Sequence, residues 1–250
     1  VITGMYDAAY FLQFATGGAK RLSYAASFGK TNFDAATTRV YQQMLASYDK
    51  ITVREDSAVQ MLESWGAKNC YGQVLDPTLL LSADEWIDLL VYEEMQIKYA
   101  SQKYILVYQI HNDRQLSSYA LRLAAHTGLK LLRVNPFMHQ VHRGGKFVLC
   151  PDVTEFLSLI KNATYIVTDS FHGTCFSLTF EKQFIEVLPN NTTGTRNQSI
   201  LALTGLSNRI VYDFDDFSII NRMINYQPVR EILAKERGRS VKMLKCLLNS

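Results

Sequence analysis

The chain has 250 residues, of which 48% are hydrophobic and 20% are charged, and its formal net charge at pH 7 is +3. This composition is that of an ordinary globular protein and excludes a disordered chain. The small charge argues against a nucleic-acid-binding domain, which carries a strong basic excess. No apolar run approaches the length that spans a bilayer, and no secretory signal peptide is visible.

The four cysteines are scattered along the chain without a CxxC pair; they are Cys70, Cys150, Cys175 and Cys246. This spacing indicates neither a zinc site nor a disulfide framework, so we expect reduced thiols and a cytoplasmic protein. Cys175 has two interpretations, either a thiol acidified by a nearby helix start or a small core residue. We favour the core position.

Short strands alternate with segments of helical spacing in the first part of the chain. Strands are predicted at residues 21–26, 51–53 and 74–75. Helices are predicted at residues 34–48, at 56–66 after a cap at Asp56 or Ser57, and after the capping-box pair Ser82 and Glu85. These strands are too few for a stable doubly wound sheet, and the first residue, Val1, is not an initiator methionine. We therefore expect that strands upstream of this chain complete the first array.

The same alternation restarts after a polar stretch at residues 98–103, which we interpret as a linker. Further strands are predicted at residues 104–110, 130–134, 147–149, 165–167, 184–188 and 210–212. Further helices are predicted at residues 115–126, from Asp152 onward, after Thr174, and at 229–248. Alternating strands and helices predict βαβ units and parallel sheets. The predicted fold class is therefore α/β, with two Rossmann-like parallel-sheet domains at residues 1–98 and 99–250, the first truncated at its N-terminus.

The most informative motif is the turn Thr-Asp-Ser-Phe-His-Gly-Thr at residues 168–174, between a predicted strand and a predicted helix. A helix N-terminus offers unpaired N–H groups and a partial positive charge, which suit a phosphate or a carboxylate. The imidazole of His172 can move protons near neutral pH. We expect Ser170 to cap the helix and Asp169 to brace the turn. The alternative role for His172 is to satisfy backbone groups at this junction.

Two arginines are candidates for binding an anion. Arg54 directly follows a predicted strand, at the end where open α/β sheets bind ligands. Its alternative role is a local ion pair with Glu55 or Asp56. Arg196 lies in a predicted polar loop at residues 190–197, which could gate a ligand site or be solvated. If the two domains face each other, Arg54 and His172 are expected to line one cleft.

A basic loop is predicted at residues 135–145, with His139, His142 and Arg143. No acidic ligand lies nearby in sequence to complete a metal site, so we expect a surface loop. No dinucleotide fingerprint, P-loop or nucleophile elbow is present, which leaves dehydrogenase, kinase and hydrolase functions without a specific signal.

Four segments together resemble the polysaccharide pyruvyl transferase family, in its bacterial branch with the Ser-Phe-His-Gly turn. The segments are residues 23–29 (SYAASFG), 52–57 (TVREDS), 74–81 (VLDPTLLL) and the turn at 168–174. They occur in the family's order and cover most of the chain from about residue 10 to 211. Other branches of the family place an arginine where this chain has Ser170.

The resemblance implies a fold of the GT-B type and a transferase. The implied reaction moves an enolpyruvyl group from phosphoenolpyruvate to a sugar of a cell-surface polysaccharide, forming a pyruvate ketal across two hydroxyls. It implies His172 as the catalytic acid–base and Arg54 as the main anion-binding group, with Arg196 as a second. The turn residues expected to contact substrate are Ser170, Phe171, Gly173 and Thr174. Gly173 is expected to let an anion approach closely because it has no Cβ.

The resemblance implies no metal and no cofactor. The expected partners are phosphoenolpyruvate and a sugar or lipid-linked acceptor, without nucleic acid. Contact of the basic terminal helix with the inner membrane face is a further interpretation, less favoured than a solvated helix. Two other functions stay open: a GT-B-like glycosyltransferase that uses a nucleotide-sugar, and an inactive or partner-dependent remnant.

Overall fold

The computed structural model describes residues 7–89, 99–189 and 194–249. The chain forms two compact units, one of Val1–Asp76 with Glu236–Ser250 and the other of Pro77–Lys235. Each unit contains a parallel sheet, which confirms the predicted α/β class. The domain boundary predicted after residue 98 falls at the edge of residues 90–98, outside the described residues, and stays a prediction.

The first unit contains a three-stranded parallel sheet in the order β1-β2-β3. Its elements are β1 (Leu22–Ala26), α1 (Ala35–Leu45), β2 (Lys50–Val53), α2 (Asp56–Ser64) and β3 (Cys70–Gln73). The central strand contributes Ile51 and Val53 to the core, where they pack with Ala58 and Leu62 of α2. Burial of such side chains stabilises the unit by roughly 1.5–3 kcal/mol for each large aliphatic group.

Local signals locate most of these elements but misplace two of them. The predicted cap of α2 at Asp56 or Ser57 is wrong, because Glu55 is the N-cap residue and its side chain makes no capping bond. The strand predicted at residues 74–75 is also wrong, since β3 ends at Gln73. Both positions have long-range partners that local sequence signals do not show, since Glu55 accepts from Ser27 Oγ and Leu75 N donates to Ser240 Oγ.

The second unit contains a five-stranded parallel sheet in the order β6-β5-β4-β7-β8. Its elements are α3 (Ala83–Leu89), β4 (Tyr104–Tyr108), α4 (Arg114–Thr127), β5 (Lys130–Asn135), β6 (Lys146–Leu149), α5 (Val153–Asn162), β7 (Tyr165–Thr168), α6 (Phe171–Thr179), β8 (Gln183–Glu186), α7 (Thr195–Leu203) and the first part of α8 (Gln227–Leu248). The chain adds β5 and β6 on one side of β4 and then crosses over to add β7 and β8 on the other side, so the switch point of the sheet lies between β4 and β7. In doubly wound sheets, ligands bind beyond the carboxyl ends of the strands at this switch point.

The central strands β4 and β7 are buried on both faces. Ile105, Val107 and Val167 belong to the main core cluster, together with Leu116 and Tyr119 of α4. Continuous apolar burial of this kind is typical of parallel strands covered by helices. The segments that follow Tyr108 and Thr168 therefore start from strands that are held in the core.

Three predictions for the second unit have different outcomes. The capping box is confirmed, because Ser82 N donates to Glu85 Oε2 at 2.7 Å and Glu85 N donates to Ser82 Oγ at 3.2 Å. The strand predicted at residues 210–212 is wrong, since only one bridge forms, between Glu186 and Ile210. The loop predicted at 190–197 is wrong from Thr195 onward, where α7 begins. Residues 190–193 lie outside the described part of the chain.

The helices offer no candidate for a transmembrane span. Across residues 7–89, 99–189 and 194–249, none has the combination of length and apolar character that crossing a bilayer requires. Contact of α8 with a membrane surface stays a prediction.

Gly173 is required by the packing of α6 against the sheet. A Cβ at this position would lie 2.3 Å from Thr168 Oγ1 and 3.0 Å from Tyr108 Cδ1. Thr168 Oγ1 donates to the Tyr108 carbonyl at 2.7 Å, and the Tyr108 ring packs edge-to-face on Phe156, so neither neighbour can move away freely. The glycine therefore faces the strand, which explains why a side chain is excluded here, and the approach of an anion to Gly173 stays a prediction.

We predict that Gly173→Ala lowers the free energy of unfolding by about 1–3 kcal/mol, because the added methyl overpacks this contact. Gly238→Ala is the control, since a Cβ at this position in the middle of α8 would have no atom within 4 Å. That change is expected to stabilise the chain by about 0.5–1 kcal/mol through helix propensity. Urea unfolding measures both, and a Gly173→Ala chain as stable as the original would contradict the packing role.

Candidate functional site

The turn after β7 is fixed by side-chain hydrogen bonds. Ser170 is the N-cap of α6, as predicted, and its Oγ accepts from Gly173 N at 3.3 Å. Ser170 N in turn donates to Thr168 Oγ1 at 3.0 Å. Because Thr168 is also bonded to Tyr108, the start of α6 is tied to both central strands. Cys175, further along this helix, is buried, which confirms the core interpretation.

Three of the predicted site residues come together at this turn. The His172 side chain is exposed, and its ring lies 5.5 Å from that of Phe171 in an edge-to-face arrangement. The guanidinium of Arg196, at the start of α7, lies 5.6 Å from the Phe171 ring centroid. We call His172, Phe171 and Arg196 the imidazole cluster. Phe171 is thus in contact with both an imidazole and a guanidinium, the two kinds of group needed to transfer a proton to an anion and to bind it.

A buried carboxyl group joins the two helix starts beneath the imidazole cluster. Glu186 is 0% exposed at the end of β8. Its Oε2 lies 2.5 Å from Thr174 Oγ1 in α6, and its Oε1 accepts from Asn197 Nδ2 in α7 at 2.6 Å. Thr174 and Asn197 each lie one or two residues from a member of the cluster. Glu186 therefore sets the position of His172 relative to Arg196.

The hydrogen bonds around Thr174 indicate that Glu186 is protonated. Thr174 Oγ1 is 3.1 Å from the Ser170 carbonyl oxygen as well as 2.5 Å from Glu186 Oε2. One hydroxyl hydrogen shared between two acceptors bonds each of them weakly, whereas a protonated carboxyl can donate to Oγ1 while Thr174 donates to the carbonyl. Burial raises the pKa of Glu186 well above its ordinary range, bonds from Thr174 and Asn197 oppose this shift, and the nearby Asp169 charge adds to it.

Thr174 and Gly173 stabilise the turn through hydrogen bonds from their N–H groups to Ser170. The Thr174 side chain is 0% exposed, and its N–H donates to the Ser170 carbonyl at 2.9 Å. The Gly173 N–H already has the Ser170 hydroxyl as its acceptor. Both N–H groups therefore have acceptors within the turn, and contact of Gly173 and Thr174 with an anion stays a prediction. Contact of Ser170 and Phe171 with substrate stays a prediction.

A second imidazole lies at the switch point of the sheet, and the sequence did not single it out. Asp169, 2% exposed, accepts from Ile110 N at 2.7 Å and from His111 N at 2.9 Å. Its Oδ2 also lies 3.2 Å from His111 Nδ1. Asp169 was predicted to brace its own turn. In the structure it braces the backbone of the segment after β4. The rule that singled out His172, a polar residue after an apolar strand, applies equally to His111.

In the first unit, three of the family-like segments meet around Arg54. Its Nη1 lies 2.6 Å from Asp76 Oδ2, and its Nε donates to the Ala25 carbonyl at 2.8 Å. The guanidinium is 19% exposed and the Asp76 carboxylate 2%. The neighbouring Glu55 binds the segment 27–29, accepting from Ser27 Oγ and from the N–H groups of Phe28 and Gly29. Arg54 is therefore fixed in one orientation after β2.

The basic loop predicted at residues 135–145 contains a 3₁₀ helix, Met138–Arg143. Arg143 is half-buried, and its Nη1 donates to the Asp113 carbonyl at 3.2 Å and to Ser117 Oγ at 3.3 Å. Arg143 thus anchors this loop, which was expected at the surface, to the start of α4. Within the described ranges, no three His, Cys, Asp or Glu side chains are grouped so as to hold a metal ion.

The two parallel sheets place the chain among α/β proteins of the GT-B type. UDP-GlcNAc 2-epimerase from Neisseria meningitidis, bound to UDP-GlcNAc, matches with a TM-score of 0.60 over 92% of this chain and 70% of that chain, at 12% identity. The S. aureus MnaA–UDP co-structure matches with a TM-score of 0.54 over 86% of this chain and 60% of that one, at 16% identity. At these identities the similarity concerns the fold.

The sequence itself defines the family. The model of the polysaccharide pyruvyl transferase family matches residues 2–192. The chain therefore belongs to this family, and it is a transferase, as the resemblance implied. No curated protein matches the sequence.

We predict that the raised pKa of Glu186 makes stability fall as pH rises. Below the ordinary carboxyl pKa both the folded and the unfolded chain keep this proton. Above it, unfolding releases the proton, so the free energy of unfolding falls by up to about 1.4 kcal/mol per pH unit until the folded pKa is passed.

Glu186→Gln keeps the donor and acceptor of the neutral acid and removes the titration. Urea unfolding between pH 4.5 and 8 should therefore show this variant gaining stability relative to the original chain as pH rises. Parallel stability curves for the two proteins would contradict a protonated Glu186.

Proposed function

We propose that this chain transfers an enolpyruvyl group from phosphoenolpyruvate to two hydroxyls of a sugar in a cell-surface polysaccharide. Membership of the family supports the reaction class. The observation that carries the proposal is the imidazole cluster, where the exposed His172 and the Arg196 guanidinium both contact the Phe171 ring. The donor has a phosphate and a carboxylate, so it requires a positive charge close to the group that transfers the proton.

His172 is proposed as the acid–base group. The imidazolium gives its proton to C3 of the donor, so that C3 becomes a methyl group and positive charge develops at C2. A sugar hydroxyl adds to C2 and returns a proton to the imidazole. The bond between C2 and the phosphate oxygen then breaks, and the second hydroxyl closes the ketal at C2. Of the two hydroxyl protons, one ends in the methyl group and the other on the released phosphate.

Arg196 is proposed to bind the donor's anionic groups while its face rests on Phe171. A planar guanidinium can stack on an aromatic ring and still present N–H groups at its edge. The contact with Phe171, the residue before His172, links the orientation of this cation to that of the imidazole. Arg54, which matches the family's strand-end arginine, is proposed as a further donor-binding residue.

We predict that His172→Ala lowers phosphate release from phosphoenolpyruvate by at least about a hundredfold, the contribution of a positioned acid–base. The fold should stay intact, because the side chain is exposed. His126→Ala is the matched control, since His126 lies in the last turn of α4 and stacks on Phe217. Phosphate release at the original rate from His172→Ala would exclude this role.

We predict that Arg54→Lys raises the KM for phosphoenolpyruvate about tenfold or more, because loss of one charge-assisted hydrogen bond costs about 1.5–3 kcal/mol. A lysine can keep the ion pair with Asp76 but not the planar fork. Steady-state kinetics measure the effect, with Arg122→Lys, an exposed arginine paired with Asp215, as the control. An unchanged KM would remove Arg54 from the donor site.

A further inference from the structure

The ketal reaction has a chemical requirement that His172 alone does not meet. Two hydroxyls each lose a proton, and His172 is restored to its starting state once it has protonated C3 and accepted the first hydroxyl proton. The second hydroxyl needs another base when it attacks C2. In the second unit, the pair of His111 and Asp169 has the geometry that such a base requires.

We propose that His111, oriented by Asp169, is the second acid–base group, which accepts the proton of the second sugar hydroxyl at Nε2 and passes it to the departing phosphate. This proposal rests on the proposed function above. In the step, the O–H bond of the hydroxyl breaks, the O–C2 bond forms, and the proton moves from Nε2 to phosphate, so that His111 ends as a neutral imidazole.

The position of His111 follows from the sheet topology. Strands β4 and β7 are adjacent and parallel, with Tyr108 paired to Thr168 at their ends. His111 follows β4, and the turn that carries His172 follows β7. The two imidazoles therefore lie at the same edge of the sheet, at the switch point where such sheets bind ligands.

The backbone of His111 is held at both of its polar groups. Its N–H donates to Asp169 Oδ2 at 2.9 Å, and its carbonyl accepts from Gln109 Nε2 at 2.9 Å. Gln109 is 0% exposed, and its own carbonyl accepts from Asn135 Nδ2 at 2.7 Å. A bracing role for Asp169 needs only such backbone bonds. The additional approach of Oδ2 to His111 Nδ1, at 3.2 Å, acts on the ring itself.

This contact selects the tautomer. A carboxylate is an acceptor, so the neutral His111 ring must carry its hydrogen on Nδ1, which leaves the lone pair on Nε2. The His111 side chain is 32% exposed, whereas that of Asp169 is 1% exposed. The carboxylate also stabilises the imidazolium that forms when Nε2 accepts a proton. A buried carboxylate, an oriented imidazole and an accessible edge are together the arrangement of a general base.

The tautomer can be measured without any substrate. Long-range proton–nitrogen NMR of the full chain labelled with ¹⁵N-histidine, at a pH where the rings are neutral, distinguishes the two tautomers. His111→Asn identifies the His111 signals by their loss. We expect the Nδ1–H form at His111, and an Nε2–H form would overturn the proposal, because its lone pair would then face Asp169.

The chemical step is tested in D₂O with phosphoenolpyruvate and p-nitrophenyl hexopyranosides, whose 4- and 6-hydroxyls can close a six-membered ketal. His111→Asn should slow ketal formation at least about a hundredfold. The first addition still occurs and reverses, so recovered donor should carry deuterium at C3. His172→Ala should give neither ketal nor exchange, and His126→Asn should behave as the original chain.

Ketal formation by His111→Asn at the original rate would overturn the role of His111 and leave the proposed function standing. An original chain that releases no phosphate with any of these acceptors would contradict pyruvyl transfer itself, whichever tautomer His111 holds. The two failures are thus distinguishable.

Discussion

The buried carboxyl of Glu186 is the constraint on which the candidate site depends. It holds Thr174 of α6 and Asn197 of α7, so that two helices starting from different parts of the chain keep a fixed relation. A charged group at this depth would be costly, whereas a neutral acid with both oxygens hydrogen-bonded is compatible with burial. These two contacts hold the helix starts that carry the exposed His172 and the Arg196 guanidinium. Rigidity beneath the site leaves the reactive edge accessible to a ligand.

The same principle recurs at the switch point and in the first unit. At each place a buried carboxylate organises a segment that follows a parallel strand: Asp169 holds the backbone after β4, Glu55 holds the segment 27–29, and Asp76 holds Arg54. Each of these carboxylates follows the end of a strand by one to three residues, at the edge of the sheet where ligands bind in α/β proteins. The family-like motifs of the sequence are therefore structural as much as functional. Several of their polar residues position the few that face solvent.

Much of this fold could be predicted from interactions between residues that are close in sequence. Capping residues such as Ser170 and the pair Ser82 and Glu85 bond to groups three residues away, so the sequence alone is enough to recognise them. The Glu186 and Asp169 contacts could not be predicted in this way, because Asp169 and His111 are 58 residues apart in the chain and meet only once β4 and β7 pair. Gly173 shows a third case: its importance was visible, but its cause, packing on Thr168, required the structure. Arg196 was expected in a loop because the polar composition around it hid the start of α7.

We propose above all that the chain binds a small donor carrying a phosphate and a carboxylate. The most direct measurement is a ligand-dependent thermal shift of the full chain with phosphoenolpyruvate, UDP and GDP, each added at the same concentrations. A ligand that binds only the folded state raises the Tm further as its concentration increases. We expect a concentration-dependent rise in Tm with phosphoenolpyruvate and none with either nucleotide. A rise with UDP or GDP and none with phosphoenolpyruvate would contradict it.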